Sequence, residues 1–217
     1  MNAPFITTLT RDYALTGDLS DNQVDIHDIA MSLARLNRYT GHTLLGWSVA
    51  QHSLLVLRLA EQDANADGLS LKSHLARALL LHDAHEAYCG DVASPIKLAL
   101  GNAWTAFETA HADHVRAALG VQRAALDFKD EIKHYDLVAL RTERSRLLGT
   151  QRDRLPWPVL DGQSQEWSQP LRGDLETMAQ LQDETHTRKA ATDAFLHAYQ
   201  RTTLAALRAS DTQEAAQ

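Results

Sequence analysis

Apolar residues recur along most of this chain at steps of three and four, the spacing that lines one face of a helix. Ile26, Ile29, Ala30, Leu33 and Leu36 outline a first helix from about Ile26 to Arg38, with Asp25 as its N-cap and Gly41 as its stop. Val49, Val56 and Leu59 outline a second, from about Trp47 to Glu61. A third follows the cap residue Ser70, carries Leu75 and Leu79, and ends before Gly90. Ser94-Pro95 opens a short helix. Asn102 caps another that runs through Leu119 to Gly120. Ile132, Ala139, Leu140 and Leu147 mark one from about Phe128 to Leu148. A last helix or helix pair, about Asp174 to Ala209, has Phe195 and Tyr199 at helical spacing. Strand signals are confined to Phe5–Leu9, so the predicted class is all-α.

The same pattern divides the chain. Residues 1–24 read as an extended segment, 25–149 as a helical core, and 150–209 as a long loop plus C-terminal helices packed on that core. Residues 210–217 read as a disordered tail. The loop over 149–171 holds three prolines together with Trp157 and Trp167, which predicts an ordered segment covering a pocket or a subunit contact.

Some inward positions break the apolar rule. His52 shares a face with Val49, Val56 and Leu59. His82 and Glu86 continue the stripe of Leu75 and Leu79, and Asp83 is next to His82. Asp136 lies with Ile132, Ala139 and Leu140, on a side that also carries Glu143. Taken singly, a buried histidine is usually a hydrogen-bonded core residue, and Asp136 has Arg141 or Arg144 as a ready partner. Taken together, unpaired carboxylates on buried faces cost several kcal/mol or go neutral, and a divalent cation offsets that cost. Two imidazoles and two carboxylates form a mixed nitrogen and oxygen set, which suits Mn, Co, Fe, Ni or Zn. Ligands drawn from three helices leave positions open for water and substrate.

Composition narrows the options. A formal net charge of -7 over 217 residues argues against a nucleic-acid coat or a membrane-surface protein, both of which need clustered positive charge. A single cysteine, Cys89, rules out an intrachain disulfide and a Cys-rich zinc site. No apolar run approaches the ~18 residues of a membrane span, and Met1–Phe5 lacks the features of a signal peptide. The expectation is a cytoplasmic protein whose partner is a small molecule. Eleven histidines add weight to metal chemistry.

The runs Val49-Ala50-Gln51-His52-Ser53, His82-Asp83-Ala84-His85-Glu86 and Gly90-Asp91-Val92-Ala93-Ser94-Pro95-Ile96-Lys97 resemble the bacterial 5′-deoxynucleotidases of the HD superfamily of metal-dependent phosphohydrolases. The run Ala34 to Thr43 is similar to phage and bacterial relatives that include HD-type dATP triphosphohydrolases. The resemblance covers roughly Ile26 to Leu148. It implies an HD-type helical bundle around a mononuclear site for one divalent transition metal, with His52, His82, Asp83 and Asp136 as ligands. It implies Glu86 and Asp91 as acid/base carboxylates and Arg38 and Tyr39 as substrate contacts, with Lys97 a further candidate for phosphate. The implied partner is a nucleotide, and relatives suggest a homo-oligomer.

The chemistry this implies is hydrolysis of a nucleotide phosphate bond without a covalent enzyme intermediate. The best match is release of phosphate from a deoxynucleoside 5′-monophosphate. Release of tripolyphosphate from a deoxynucleoside triphosphate is the alternative, and a non-catalytic nucleotide-binding regulator is the rival from another class. His111 and His114 are spaced for a second metal, but the further motif residues of two-metal members are missing. Cys89 borders the site without an evident base, so it reads as packing.

Overall fold

The computed structural model describes residues 4–148, 155–161 and 172–214, and the fold is predominantly helical, as the periodicity predicts. The extended start is a small hairpin. β1 (Phe5–Thr7) pairs antiparallel with β2 (Asp12–Ala14), with Phe5 opposite Ala14. Tyr13 anchors it, fully buried and stacked on Tyr88 at 4.0 Å between ring centroids.

Helix α1 (Ile26–Leu33) starts where Asp25 accepts from the His27 and Asp28 amides. It stops at Leu33 rather than near Arg38, because the following backbone is recruited elsewhere. Asn37 bridges Ser48, Arg38 N–H donates to Trp47 O, and Val49 N–H donates to Leu36 O. That closed loop feeds α2 (Val49–Ala66), which opens on a capping box of Ser48 and Gln51.

The predicted third helix is in fact two. Helix α3 (Ser73–Leu80) and α4 (Glu86–Cys89) are separated by turns through Leu81–His85. Ala84 N–H donates to Leu81 O and Glu86 N–H to Asp83 O, the tighter three-residue bonding that breaks α-helical periodicity. The His82-Asp83 pair therefore sits on a bend, not mid-helix. Ser70 is not the cap, since α3 begins after Lys72.

Helix α5 (Ser94–Leu100) has Pro95 in its first turn with Ala93, not Ser94, at the cap position, and α6 (Asn102–Ala118) is preceded by Gly101 at its cap. A short α7 (Gln122–Asp127) escaped the pattern. It leads into α8 (Lys129–Leu147). After α9 (Pro158–Asp161), the C-terminal region is the pair α10 (Arg172–Glu184) and α11 (Arg188–Glu214). The helix thus continues through residues read from sequence as a tail. Of the Pro/Trp-rich stretch, Trp157 is described, whereas Trp167 and the residues around it lie outside the described residues.

Helix α2 is the central rod, packed against α3, α8, α10 and α11, while α11 also lies across α1 and α3. Leu33, Trp47, Leu55, Leu57, Leu59, Leu79, Leu147 and Phe195 are buried in the core this creates. Each such side chain contributes about 1.5–3 kcal/mol. No helix among the described residues is long and apolar enough to cross a membrane.

Candidate metal centre

Because α8 packs along α2, His52 near the start of α2 faces Asp136 in the middle of α8. The bend after α3 brings in the third participant. His52 Nε2 lies 3.3 Å from Asp136 Oδ1 and 3.6 Å from Asp83 Oδ2, and His82 Nε2 lies 3.1 Å from the same Asp83 oxygen. Ligand atoms of His52, His82 and Asp83 all fall within 4.8 Å of one another. Asp136, the fourth ligand expected from sequence, lies outside that group: it meets His52 through Oδ1, and its Oδ2 accepts from Lys133 Nζ at 2.9 Å. Atoms each bonded about 2.0–2.2 Å from one ion stand roughly 3.0–3.5 Å apart, so these spacings fit a cation-sized centre.

Both imidazoles are oriented for that task by their other nitrogen. His82 Nδ1 is 2.8 Å from Leu79 O, and His52 Nδ1 is 2.7 Å from Glu143 Oε1. With Nδ1–H donating in each ring, Nε2 carries the lone pair. Both Nε2 atoms are buried without a hydrogen-bond partner. Two orphaned acceptors beside two carboxylates make a set that a divalent ion would satisfy. Electrostatics shows the same demand for positive charge. Burial and the Arg38 guanidinium oppose protonation of His52, yet Glu143 and Asp136 outweigh them and lift its pKa to about 9. Without a metal ion Nε2 therefore takes a proton, which a metal would have to displace to use the lone pair. Burial works against ionised Asp83 and Asp136, but the facing imidazoles hold both carboxyls below the usual range.

Glu143 was not singled out as a site residue from sequence, and the structure puts it at the base of the site. It is fully buried and accepts from His52 Nδ1, Trp47 Nε1 at 2.9 Å, Arg38 Nε at 3.0 Å and the Tyr39 hydroxyl at 2.6 Å. Burial alone would neutralise it, but Arg38 and His52 keep its pKa down to about 2. Its signal was present: Glu143 lies on the inward side of α8, two turns after Asp136, and fails the apolar test just as the candidate ligands do.

Arg38 and Tyr39, expected from the resemblance as substrate contacts, both bond to Glu143 at the base of this cluster. Arg38 Nη1 is 3.9 Å from Asp83 Oδ2. Tyr39 and Thr40 both adopt left-handed backbone, φ 58° and 52°, a conformation that costs a non-glycine residue about 1–2 kcal/mol. The hydrogen bond from Tyr39 to Glu143 and the tilted contact of its ring with Trp157, 6.1 Å between centroids, hold it there. Backbone held in that state is a feature of functional sites.

Glu86 and Asp91 belong to the same electrostatic cluster. Burial, with Asp83 and Asp91 adding to it, pushes the Glu86 carboxyl well above its ordinary range. Burial also raises Asp91, against Arg38 and with Asp83. Gly90 turns the chain between them at φ 83° and ψ 155°, a region essentially restricted to glycine. Lys97 is engaged internally, its Nζ 2.5 Å from Glu108 Oε1 and 3.9 Å from Glu86 Oε1. His111 faces the hairpin, with Nδ1 3.0 Å from the Tyr13 hydroxyl and Nε2 3.3 Å from Leu15 O. Cys89 donates to His85 O, and burial raises its thiol to about 12, which leaves it unreactive.

No known family model matches this sequence. The uncharacterized protein YfdR of Escherichia coli (strain K12) is 34% identical over 158 residues, 73% of this chain and 79% of that protein. The uncharacterized protein RCAP_rcc00048 of Rhodobacter capsulatus is 36% identical over 153 residues, 66% of this chain and 76% of that protein. At this identity over most of both lengths, the chain belongs to the family of the Escherichia coli protein YfdR.

Proposed function

We propose that this protein is a metal-dependent phosphohydrolase of the HD type that cleaves a nucleotide phosphate bond, with deoxynucleoside 5′-monophosphates as substrate. The observation that carries this reading is the pair of buried, unpartnered Nε2 atoms of His52 and His82 set against the carboxylates of Asp83 and Asp136. A divalent transition metal held by His52, His82 and Asp83, with Asp136 as the proposed fourth ligand, would supply a Lewis acid for a phosphoryl oxygen and a means of acidifying water.

The chain's own groups do the rest. Arg38 spends Nε on Glu143, which aims the remaining guanidinium nitrogens toward Asp83 and a phosphate lodged beside it. Tyr39, fixed by Glu143 and backed by Trp157, offers its ring to the sugar or base. Glu86 and Asp91 share the proton traffic: one takes a proton from the attacking water, the other gives one to the leaving oxygen. The raised affinity of both for protons suits that exchange near neutral pH.

The test is metal analysis of the purified protein combined with product release from a panel of deoxy- and ribonucleotide mono- and triphosphates. Glu86→Gln is expected to keep the metal and lose about 10²–10⁴-fold in turnover, whereas Asp83→Ala loses both metal and turnover. Full activity in Glu86→Gln would remove Glu86 from the mechanism. Nucleotide binding with no turnover under Mn, Co, Fe, Ni or Zn would favour the regulatory alternative.

A further inference from the structure

Beside the centre lies a second group that the phosphohydrolase reading does not use as a unit. His85, Glu86 and Glu108 place one ligand-competent atom each within 4.8 Å of one another. His85 Nε2 is 3.8 Å from Glu108 Oε1. His85 and Glu86 are buried, and Glu86 Oε2 has no hydrogen-bond partner. In its donor types this is a metal site: one imidazole and two carboxylates, converging from α4 with the residue before it, and from α6. A cleft of about 230 Å³ reaches the cluster, lined by Asp83, His85, Lys97, Glu108 and Arg116 among others, which gives an ion a route in.

A cation is already present. Lys97, projecting from α5, puts its ammonium 2.5 Å from Glu108 and 3.9 Å from Glu86. The charge balance explains why one is needed. Asp83, Asp91, Glu86 and Glu108 gather within one neighbourhood, where Lys97 and Arg38 are the cations that act on Glu86 and Asp91, and Arg116 lines the cleft. An ammonium on a flexible stem meets the demand with a single charge and no dehydration of a metal ion.

We propose that His85, Glu86 and Glu108 form a second cation site whose resident cation is the Lys97 ammonium, so that Lys97 is what keeps this protein to one metal per chain at most. The inference goes beyond the phosphohydrolase reading and stands independently of it, since it concerns the number of ions gained when Lys97 is replaced. Lys97 acts through Glu86 and Glu108 and is a positioning residue.

The experiment is equilibrium dialysis of wild type and Lys97→Met against Mn²⁺ or Zn²⁺, with bound metal counted by mass spectrometry. Lys97→Met is expected to bind one more ion per chain than wild type, and the double variant Lys97→Met/Glu108→Gln is expected to return to the wild-type count. If His52 and its partners hold no metal, wild type binds none and Lys97→Met still gains one. If the inference fails, the gain is absent whatever wild type binds. Lys97→Gln, which keeps a donor for Glu108, provides a second reading, and a variant that folds only when metal is supplied supports the same conclusion. No added ion in either variant, or failure of both to fold at any metal concentration, overturns the proposal.

Discussion

Glu143 accepts hydrogen bonds from His52, Trp47, Arg38 and Tyr39, so one buried carboxylate fixes a candidate ligand, both proposed substrate contacts and the wall behind them. Its negative charge matters as much as its shape, because it sets which nitrogen of His52 bears the proton and so which is free. Glu143→Gln preserves the volume but weakens that control. Metal affinity is expected to fall about 10–100-fold, read by competition against a chromophoric chelator. An unchanged affinity would show that Glu143 supports the fold and not the centre. Gly90 is the other residue whose identity is dictated locally. At φ 83° and ψ 155°, alanine would cost about 1–3 kcal/mol and swing Asp91. Gly90→Ala should therefore lower the urea midpoint and reduce turnover more than metal content.

At the level of elements, the hairpin β1–β2 is clamped to α6 through a neutral histidine. His111 is buried, its Nε2–H donating to Leu15 O while Nδ1 accepts from the Tyr13 hydroxyl. Burial is the main cause of its lowered pKa. The Leu15 carbonyl opposes this, and nearby His85 and His114 add to it. The unfolded chain takes up a proton near the ordinary histidine value of about 6.5, while the folded chain resists it. The folded state thus binds fewer protons, and the contribution of this clamp is complete above about 6.5 and is lost as pH falls below it toward the depressed folded value. Unfolding by urea at about pH 7.5 and about pH 5.5 should show a larger loss for wild type than for His111→Gln. Equal losses would remove His111 from the pH response.

For the whole molecule, α10 and α11 are structural parts of the core and not an appendage. Phe195 of α11 is fully buried, and Met178 and Leu181 of α10 reach the same apolar mass as Leu55 and Leu79. Gln51, in the capping box that starts α2, donates to Thr185 O and Oγ1 just after α10. The C-terminal pair therefore braces the helix that carries His52. Phe195→Ala is expected to cost about 3–5 kcal/mol, measured by chemical denaturation. A loss below about 1 kcal/mol would mean the helix is dispensable for the core.

The all-α class and the inward placement of His52 and Asp136 were legible in the chain itself, whereas His82 and Asp83 reach the same place from a bend that the helical period did not predict. Burying charge is expensive, so a charged residue on an apolar stripe is visible wherever the helical period is intact. Glu143 was legible by the same rule. Sequence also supplied the cap at Asp25, because capping is a local exchange of hydrogen bonds. It missed Ser48 and placed the caps of α3, α5 and α6 at Ser70, Ser94 and Asn102, where the structure has Lys72, Ala93 and Gly101. What periodicity cannot carry is contact between distant segments. The bend at Leu81–His85, the early end of α1 and the left-handed Tyr39–Thr40 are each less favourable locally than continued helix or ordinary backbone. The early end of α1 and the left-handed Tyr39 persist because bonds to Trp47, Ser48 and Glu143 outweigh the local preference. The pairing of Lys97 with Glu108 likewise depends on how α5 folds back on α6. The residues of the candidate centre were written in the order of the chain. Their distances, and the cation each carboxylate faces, were decided only when the helices packed.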